Sequence, residues 1–234
     1  MASEFKESVE IVHQRGLPVV CIDTCVWLDF FRGRVAAKRA RDELDALQQS
    51  MAKSFVVAIP DQVQIEYNRN KRAVLSEYAA ALRNTSDSVE KYIEDFKEVA
   101  SPTQISLRGD YEQHVLNRYV NYVDAAFCRC VVFKIEQVHY ARGARRSCEI
   151  RAPAASKRGR STADCVIIES FFSFVDMLRA RGYKNNAYFL TSNTADFSDS
   201  QKSDEVHADL KGEFSRLGIS YESVLPRFLN RNSF

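Results

Sequence analysis

The stretch that decides the fold is Leu17-Pro18-Val19-Val20-Cys21-Ile22-Asp23-Thr24. Its run from Leu17 to Ile22 is short, apolar and rich in β-branched residues, the pattern of a strand buried on both faces, and it ends abruptly in an acid. Three more acids stand at comparable junctions: Glu66 in Ile-Pro-Asp-Gln-Val-Gln-Ile-Glu, Asp164 in Ser-Thr-Ala-Asp-Cys-Val-Ile-Ile, and Asp196 in Leu-Thr-Ser-Asn-Thr-Ala-Asp-Phe. In an open parallel α/β sheet the carboxyl ends of the strands meet along one edge, so acids distant in sequence can converge there. Four crowded carboxylates repel one another and take up protons unless a divalent cation neutralises them. Hard cations such as Mg²⁺ or Mn²⁺ take oxygen ligands, so such a cluster suits a metal-dependent phosphodiesterase.

Working outward, Phe55 to Ile59 reads as a second strand, Ala187 to Thr191 as another and Ile219 to Tyr221 as the last. Pro60 breaks the chain, and Asp61 opens a helix whose early turns hold Glu66, with Arg69 three residues on, placed to pair with it or to approach a phosphate. From Asn70 to Ala141 helical periodicity takes over, interrupted at Ser101-Pro102, and predicts a helical insertion over 70–141 that covers the active edge or simply packs. Ser161 begins the helix carrying Asp164, residues 192–199 form a loop and 206–217 a helix.

Each acid also has a plainer role. Asp23 can cap the following helix, Glu66 can favour a helix dipole, Ser161 and Asp164 fit a capping box, and Asp196 can close a turn. The ordered set carries more weight than any member. The four segments together resemble, in order, the motifs of PIN-domain nucleases, over roughly residues 18–75 and 160–225.

That resemblance implies an α/β three-layer sandwich with a central parallel sheet, one domain over 1–234, and a metal site built from Asp23, Glu66, Asp164 and Asp196. Thr24, Thr191, Asn193 and Glu169 are the candidate supporting residues. It implies a Mg²⁺- or Mn²⁺-dependent endonuclease in which water attacks phosphorus and no protein nucleophile is needed. RNA is favoured over DNA, and the setting expected is a bacterial toxin or an antiviral-defence effector. The alternatives are a DNA nuclease of a defence system and a noncatalytic PIN-like nucleic-acid-binding module. A haloacid-dehalogenase phosphatase is disfavoured, because the residue two beyond Asp23, where its general acid belongs, is Cys25.

Charge points the same way. The 234 residues carry a formal net charge of only +2. Between 142 and 160, however, Arg142, Arg145, Arg146, Arg151, Lys157, Arg158 and Arg160 face a single acid, Glu149. This segment, with its small and Pro residues, reads as a basic loop over 142–160 that binds nucleic acid, or else as a solvated loop or a dock for an acidic protein partner or inhibitor. Six scattered cysteines and four scattered histidines offer no zinc spacing and disfavour thiol or histidine catalysis. The charged amino terminus lacks a signal core and no apolar run approaches a membrane span, so the expectation is a cytoplasmic protein without membrane contact.

Overall fold

In a computed structural model of the chain, residues 4–32, 37–96, 109–156, 161–199 and 204–232 are described. Among them five short strands form one all-parallel sheet in the order β3-β2-β1-β4-β5. They are β1 (Val19–Ile22), β2 (Val56–Pro60), β3 (Val131–Phe133), β4 (Ala187–Leu190) and β5 (Ile219–Glu222). Parallel strands need crossovers, and helices supply them: α1 (Glu4–Arg15) precedes β1, while α2 (Thr24–Asp29) and α3 (Ala37–Lys53) lead to β2. Beyond β2 come α4 (Asp61–Phe96) and α5 (Gly109–Phe127), then α6 (Gln137–Cys148) and α7 (Thr162–Ala180) after β3. The chain closes with α8 (Thr194–Phe197) and α9 (Ala208–Leu217) between β4 and β5, and α10 (Leu225–Asn232). The sheet flanked by helices is the α/β sandwich expected.

Every residue of β1 and β2 is buried, which explains why both read as continuous apolar runs rather than alternating ones. β1 lies at the centre, with Val19 opposite Val56 of β2 and Ile22 opposite Leu190 of β4. Strand order reverses at the β1/β4 pair, and in open α/β sheets the crevice at such a switch point, beyond the carboxyl ends of the strands, is where ligands bind.

Two sequence expectations are corrected here. The insertion over 70–141 is not helical throughout: α4 and α5 are followed by β3, whose Ala58–Val131 to Pro60–Phe133 register extends the sheet. Its three residues carry too little signal against the helical spacing around them. Likewise 142–160 is not wholly a loop, because residues 142–148 are the last turns of α6. Gly143, a loop signal in the sequence, is there for packing: a Cβ on it would stand 2.5 Å from Val166 Cγ2 and 2.8 Å from the Val166 backbone. Its missing side chain lets α6 and α7 approach closely.

α1 and α10, unremarked in the sequence, cover the sheet. Phe5 of α1 packs edge-on against both Phe133 and Phe174, which stack on each other with centroids 4.4 Å apart. Ser8 Oγ donates to the Val132 carbonyl at 3.2 Å, shielding the edge strand β3. Phe228 of α10 packs against Phe55 and Tyr188.

Candidate active site

Asp23 and Thr24 stand at the carboxyl end of β1. Asp23 is the N-cap of α2, its Oδ1 accepting from the Thr24 amide at 2.7 Å. Its other oxygen has a second use: Oδ2 accepts from Thr191 Oγ1 at 2.7 Å and from Cys25 Sγ at 3.2 Å. The capping role and the site role are thus played by different oxygens of one carboxylate. Asp23 is 4% exposed, and burial pushes its carboxyl above the usual range, a rise that the Thr191, Cys25 and Thr24 bonds counter and the Glu66 charge reinforces.

Glu66 reaches this group from the second turn of α4. Its Oε2 accepts from Thr24 Oγ1 at 3.2 Å and its Oε1 from Gln62 Nε2 at 3.0 Å. Gln62 was overlooked in the sequence, although its spacing of four from Glu66 on one helix is the signal that finds it. Arg69 is exposed, and its Nε donates to Asn70.

Thr191, directly after β4, is fully buried. Its hydroxyl donates to Asp23 and accepts from the Asn193 amide at 3.1 Å, while Asn193 Nδ2 donates to Asp196 Oδ2 at 2.7 Å. Asp196 is buried, and its Oδ1 accepts from Ser156 Oγ. An unbroken relay of short contacts therefore runs Glu66–Thr24–Asp23–Thr191–Asn193–Asp196 and joins three of the four predicted acids and three of the four predicted supporting residues.

Asp164 sits in the first turn of α7, half-buried, at the positive end of the helix dipole. The capping box suggested by Ser161 and Asp164 is not formed: Ser161 is the N-cap but makes no side-chain capping bond. Nor are the four acids gathered into one enclosure. Among the described residues no three His, Cys, Asp or Glu side chains are grouped so as to hold a metal ion. Like charges repel, and neutral donors satisfy Asp23, Glu66 and Asp196 separately.

The supporting role expected of Glu169 is corrected. Glu169 Oε1 accepts from Arg146 Nε at 2.6 Å, on the α6 side of α7. Arg146 is only 3% exposed and also binds Glu213 Oε1 at 2.6 Å and the Ala152 carbonyl at 3.0 Å. Burial lowers its pKa, but the two carboxylates outweigh that and the net shift is upward. Arg146 thus pins α6 to α7 and α9 instead of facing a phosphate. Arg151 also pairs with Glu213, at 2.9 Å, whereas Arg145 pairs with Glu149 at 2.7 Å and Arg142 donates to Ser173 Oγ at 2.9 Å, both from exposed positions. Lys157, Arg158 and Arg160 lie outside the described residues.

Cys25, which the sequence marks only as an unsuitable general acid, belongs to the site. Its Sγ lies 3.2 Å from Asp23 Oδ2 and from Thr191 Oγ1, and it accepts from the Ser192 amide at 3.3 Å. Burial and the Asp23 charge push the thiol far above its ordinary range, so it stays protonated and serves as a donor.

The donor set fits a hard divalent cation in its chemistry. Asp23 and Glu66 are buried carboxylates within one hydrogen-bonded group, and among the described residues neither pairs with a basic side chain. Buried charge without a cationic partner is costly, and an oxygen-seeking ion would supply what the neutral donors do not. The family model described as PIN domain matches residues 20–197. No curated protein and no solved structure shows a match. Among the described residues no helix is long and apolar enough to cross a membrane.

Proposed function

The chain belongs to the PIN-domain family, whose members are generally metal-dependent nucleases, and from that premise we propose that it is a Mg²⁺- or Mn²⁺-dependent endoribonuclease acting as a bacterial toxin or antiviral-defence effector. The observation that carries the reading is the relay from Glu66 through Asp23 to Asp196, which lies at the carboxyl ends of β1, β2 and β4 and crosses the switch point of the sheet.

Asp23 and Glu66 are the residues that would hold the ion, with Asp164 and Asp196 completing the site. Such an ion supplies Lewis-acid polarisation of a phosphoryl oxygen and a source of hydroxide near neutral pH. Thr24, Thr191 and Cys25 fix the rotamers of Asp23 and Glu66, so the carboxylates need little reorganisation when the substrate arrives. Asn193 holds Asp196 in the same way. Arg142 and Arg145, exposed on α6, would meet the strand nonspecifically.

A second reading, a noncatalytic nucleic-acid-binding module, draws on the absence of a metal-enclosing group of three acids among the described residues. Incubation of the purified protein with RNA and DNA panels in Mg²⁺, Mn²⁺ or EDTA separates the two. Expected is metal-dependent cutting of RNA, lost in folded Asp23→Asn and Asp164→Asn variants. Cutting at the wild-type rate by both variants overturns the site, and binding without cutting favours the module.

A further inference from the structure

Next to the acids lies a cavity of about 220 Å³, framed by α2, α3, the loop after β4 and the start of α10. We infer that it receives one unstacked nucleobase of the nucleic-acid strand, of the kind that carries an exocyclic amino group. The inference rests on the nuclease reading for the strand that delivers the base, and it adds the selectivity that the acid relay itself lacks.

Position is the first argument. Ser192 lines the cavity and directly follows Thr191, whose hydroxyl holds Asp23. From the Ser192 amide to Cys25 Sγ is 3.3 Å, and from Cys25 Sγ to Asp23 Oδ2 is 3.2 Å, so the cavity wall is two hydrogen bonds away from the carboxylate. A strand whose phosphate meets Asp23 would bring a neighbouring base to this opening.

Size and lining are the second. A cavity of about 220 Å³ has room for a single planar base. Phe30, Pro226, Leu225 and Val26 give it apolar walls on which a ring can lie, as aromatic and aliphatic faces do in single-strand-binding proteins. Its polar rim carries Asp29 and Glu43, with Arg39 paired to Glu43 at 2.9 Å and Ser192 Oγ donating to Asp29. Asp29 is paired with Arg32 at 2.9 Å as Glu43 is with Arg39, so the rim is balanced in charge and leaves no unpaired guanidinium to seat a phosphate, while each carboxylate keeps oxygen lone pairs open to a further donor. Carboxylates accept from exocyclic amino groups, as they do from cytosine N4, so the rim suits adenine, cytosine or guanine over uracil.

The test uses the full chain and reads binding apart from cleavage. Ligand-observed NMR titration with adenosine, cytidine, guanosine and uridine is run in EDTA, in parallel with mapping of cut sites on a mixed RNA in Mg²⁺ or Mn²⁺. Two variants are compared with wild type: Ser223→Leu, which fills the cavity, and Glu43→Met, which removes a rim acceptor. Glu43, its side chain 14% exposed, makes one i,i+4 pair, and an apolar side chain of similar length suits that partly covered place, so the second variant keeps the fold even where the first does not. Expected is at least fivefold weaker binding of uridine than of the best amino-bearing nucleoside by wild type, with the gap closing in Glu43→Met. Cut sites should avoid uridine at one position by a similar factor, and that bias should flatten in the variant. Equal binding of all four nucleosides, or the same binding and the same cut-site bias in wild type and Glu43→Met, overturns the base site while leaving the nuclease reading intact. Selective nucleoside binding with no cleavage in either metal sustains the cavity and overturns the nuclease reading.

Discussion

The Thr191 hydroxyl donates to Oδ2 of Asp23 at 2.7 Å and ties the loop after β4 to the loop after β1 where the strand order reverses. Because the same oxygen of Thr191 accepts from the Asn193 amide, one side chain orients Asp23 and, through Asn193, Asp196. Thr191→Val keeps the shape and removes both bonds together with the 3.2 Å contact to Cys25 Sγ. A half-buried amide and a buried carboxylate then each lose a partner, which costs about 1–3 kcal/mol. Cleavage should fall ~10- to 100-fold beyond what the lost folded fraction explains, and Thr191→Ser should restore most of it. Thermal melts and single-turnover cleavage check this; unchanged cleavage in the Val variant removes Thr191 from the site.

The raised pKa of Asp23 gives a pH signature. A carboxyl whose folded pKa lies above its unfolded value contributes stability that is fully present below the unfolded pKa and lost as pH rises through the folded value. At neutral pH the buried charge therefore costs stability. Asp23→Asn should melt at or above the wild-type temperature at pH 7, and the gap should narrow on acidification. Mg²⁺ or Mn²⁺ should raise the wild-type melting temperature, since an ion bound only by the folded state adds about 2.7 kcal/mol at a hundred times its Kd. That increment should shrink as Asp23 takes up a proton and be absent in Asp23→Asn. Scanning calorimetry across pH, with and without EDTA, measures all of it; an equal metal shift in both proteins removes Asp23 as a ligand.

Much of this was legible in the chain. β1, β2 and β4 announce themselves as apolar runs because a parallel sheet buries both faces of its inner strands, whereas the edge strand β5 is shorter of apolar residues, and the acids stand out where the inner runs stop. β3 was not legible: Val131, Val132 and Phe133 extend the helical spacing of Phe127, and only pairing with β2, far away in sequence, makes them a strand. Charge was the weaker guide. The basic stretch advertised seven cations, but the acids that neutralise Arg146, and the nearer of the two that pair with Arg151, come from α7 and α9 and carry no local sequence signal. Asp164 stands out by its place in a motif more than by its spacing, in the first turn of its helix.

Gly143 offers a test of the α6–α7 packing. A methyl group there meets backbone as well as side-chain atoms of Val166, and backbone in the first turn of α7 cannot shift without moving Asp164. Gly143→Ala would stabilise an ordinary helix interior by about 0.5–1 kcal/mol relative to glycine. Here overpacking of about 1–3 kcal/mol should exceed that gain and lower stability. Urea unfolding decides between the two signs, and a stabilised variant would mean that the helices are not in close contact.

Arg146 and its exposed neighbours should separate cleanly. Arg146 is enclosed by Glu169, Glu213 and the Ala152 carbonyl, so Arg146→Met leaves Glu169 without this cation and Glu213 with Arg151 alone, and should cost about 3 kcal/mol or more. Measured on the folded fraction, its RNA affinity and salt dependence should match wild type. The Arg142→Ala, Arg145→Ala double variant reverses the pattern. Its surface bonds to Ser173 and Glu149 contribute little to stability, so it should melt like wild type. Its RNA binding should weaken evenly across sequences, with the slope of log affinity against log salt flattened by roughly 0.7 for each single-strand phosphate that is no longer neutralised. Fluorescence-anisotropy titrations at several salt concentrations, paired with chemical denaturation, read both quantities. Loss of RNA binding in a fully stable Arg146→Met protein would return that side chain to the nucleic-acid surface and break the assignment of the α6–α7–α9 cluster as structural.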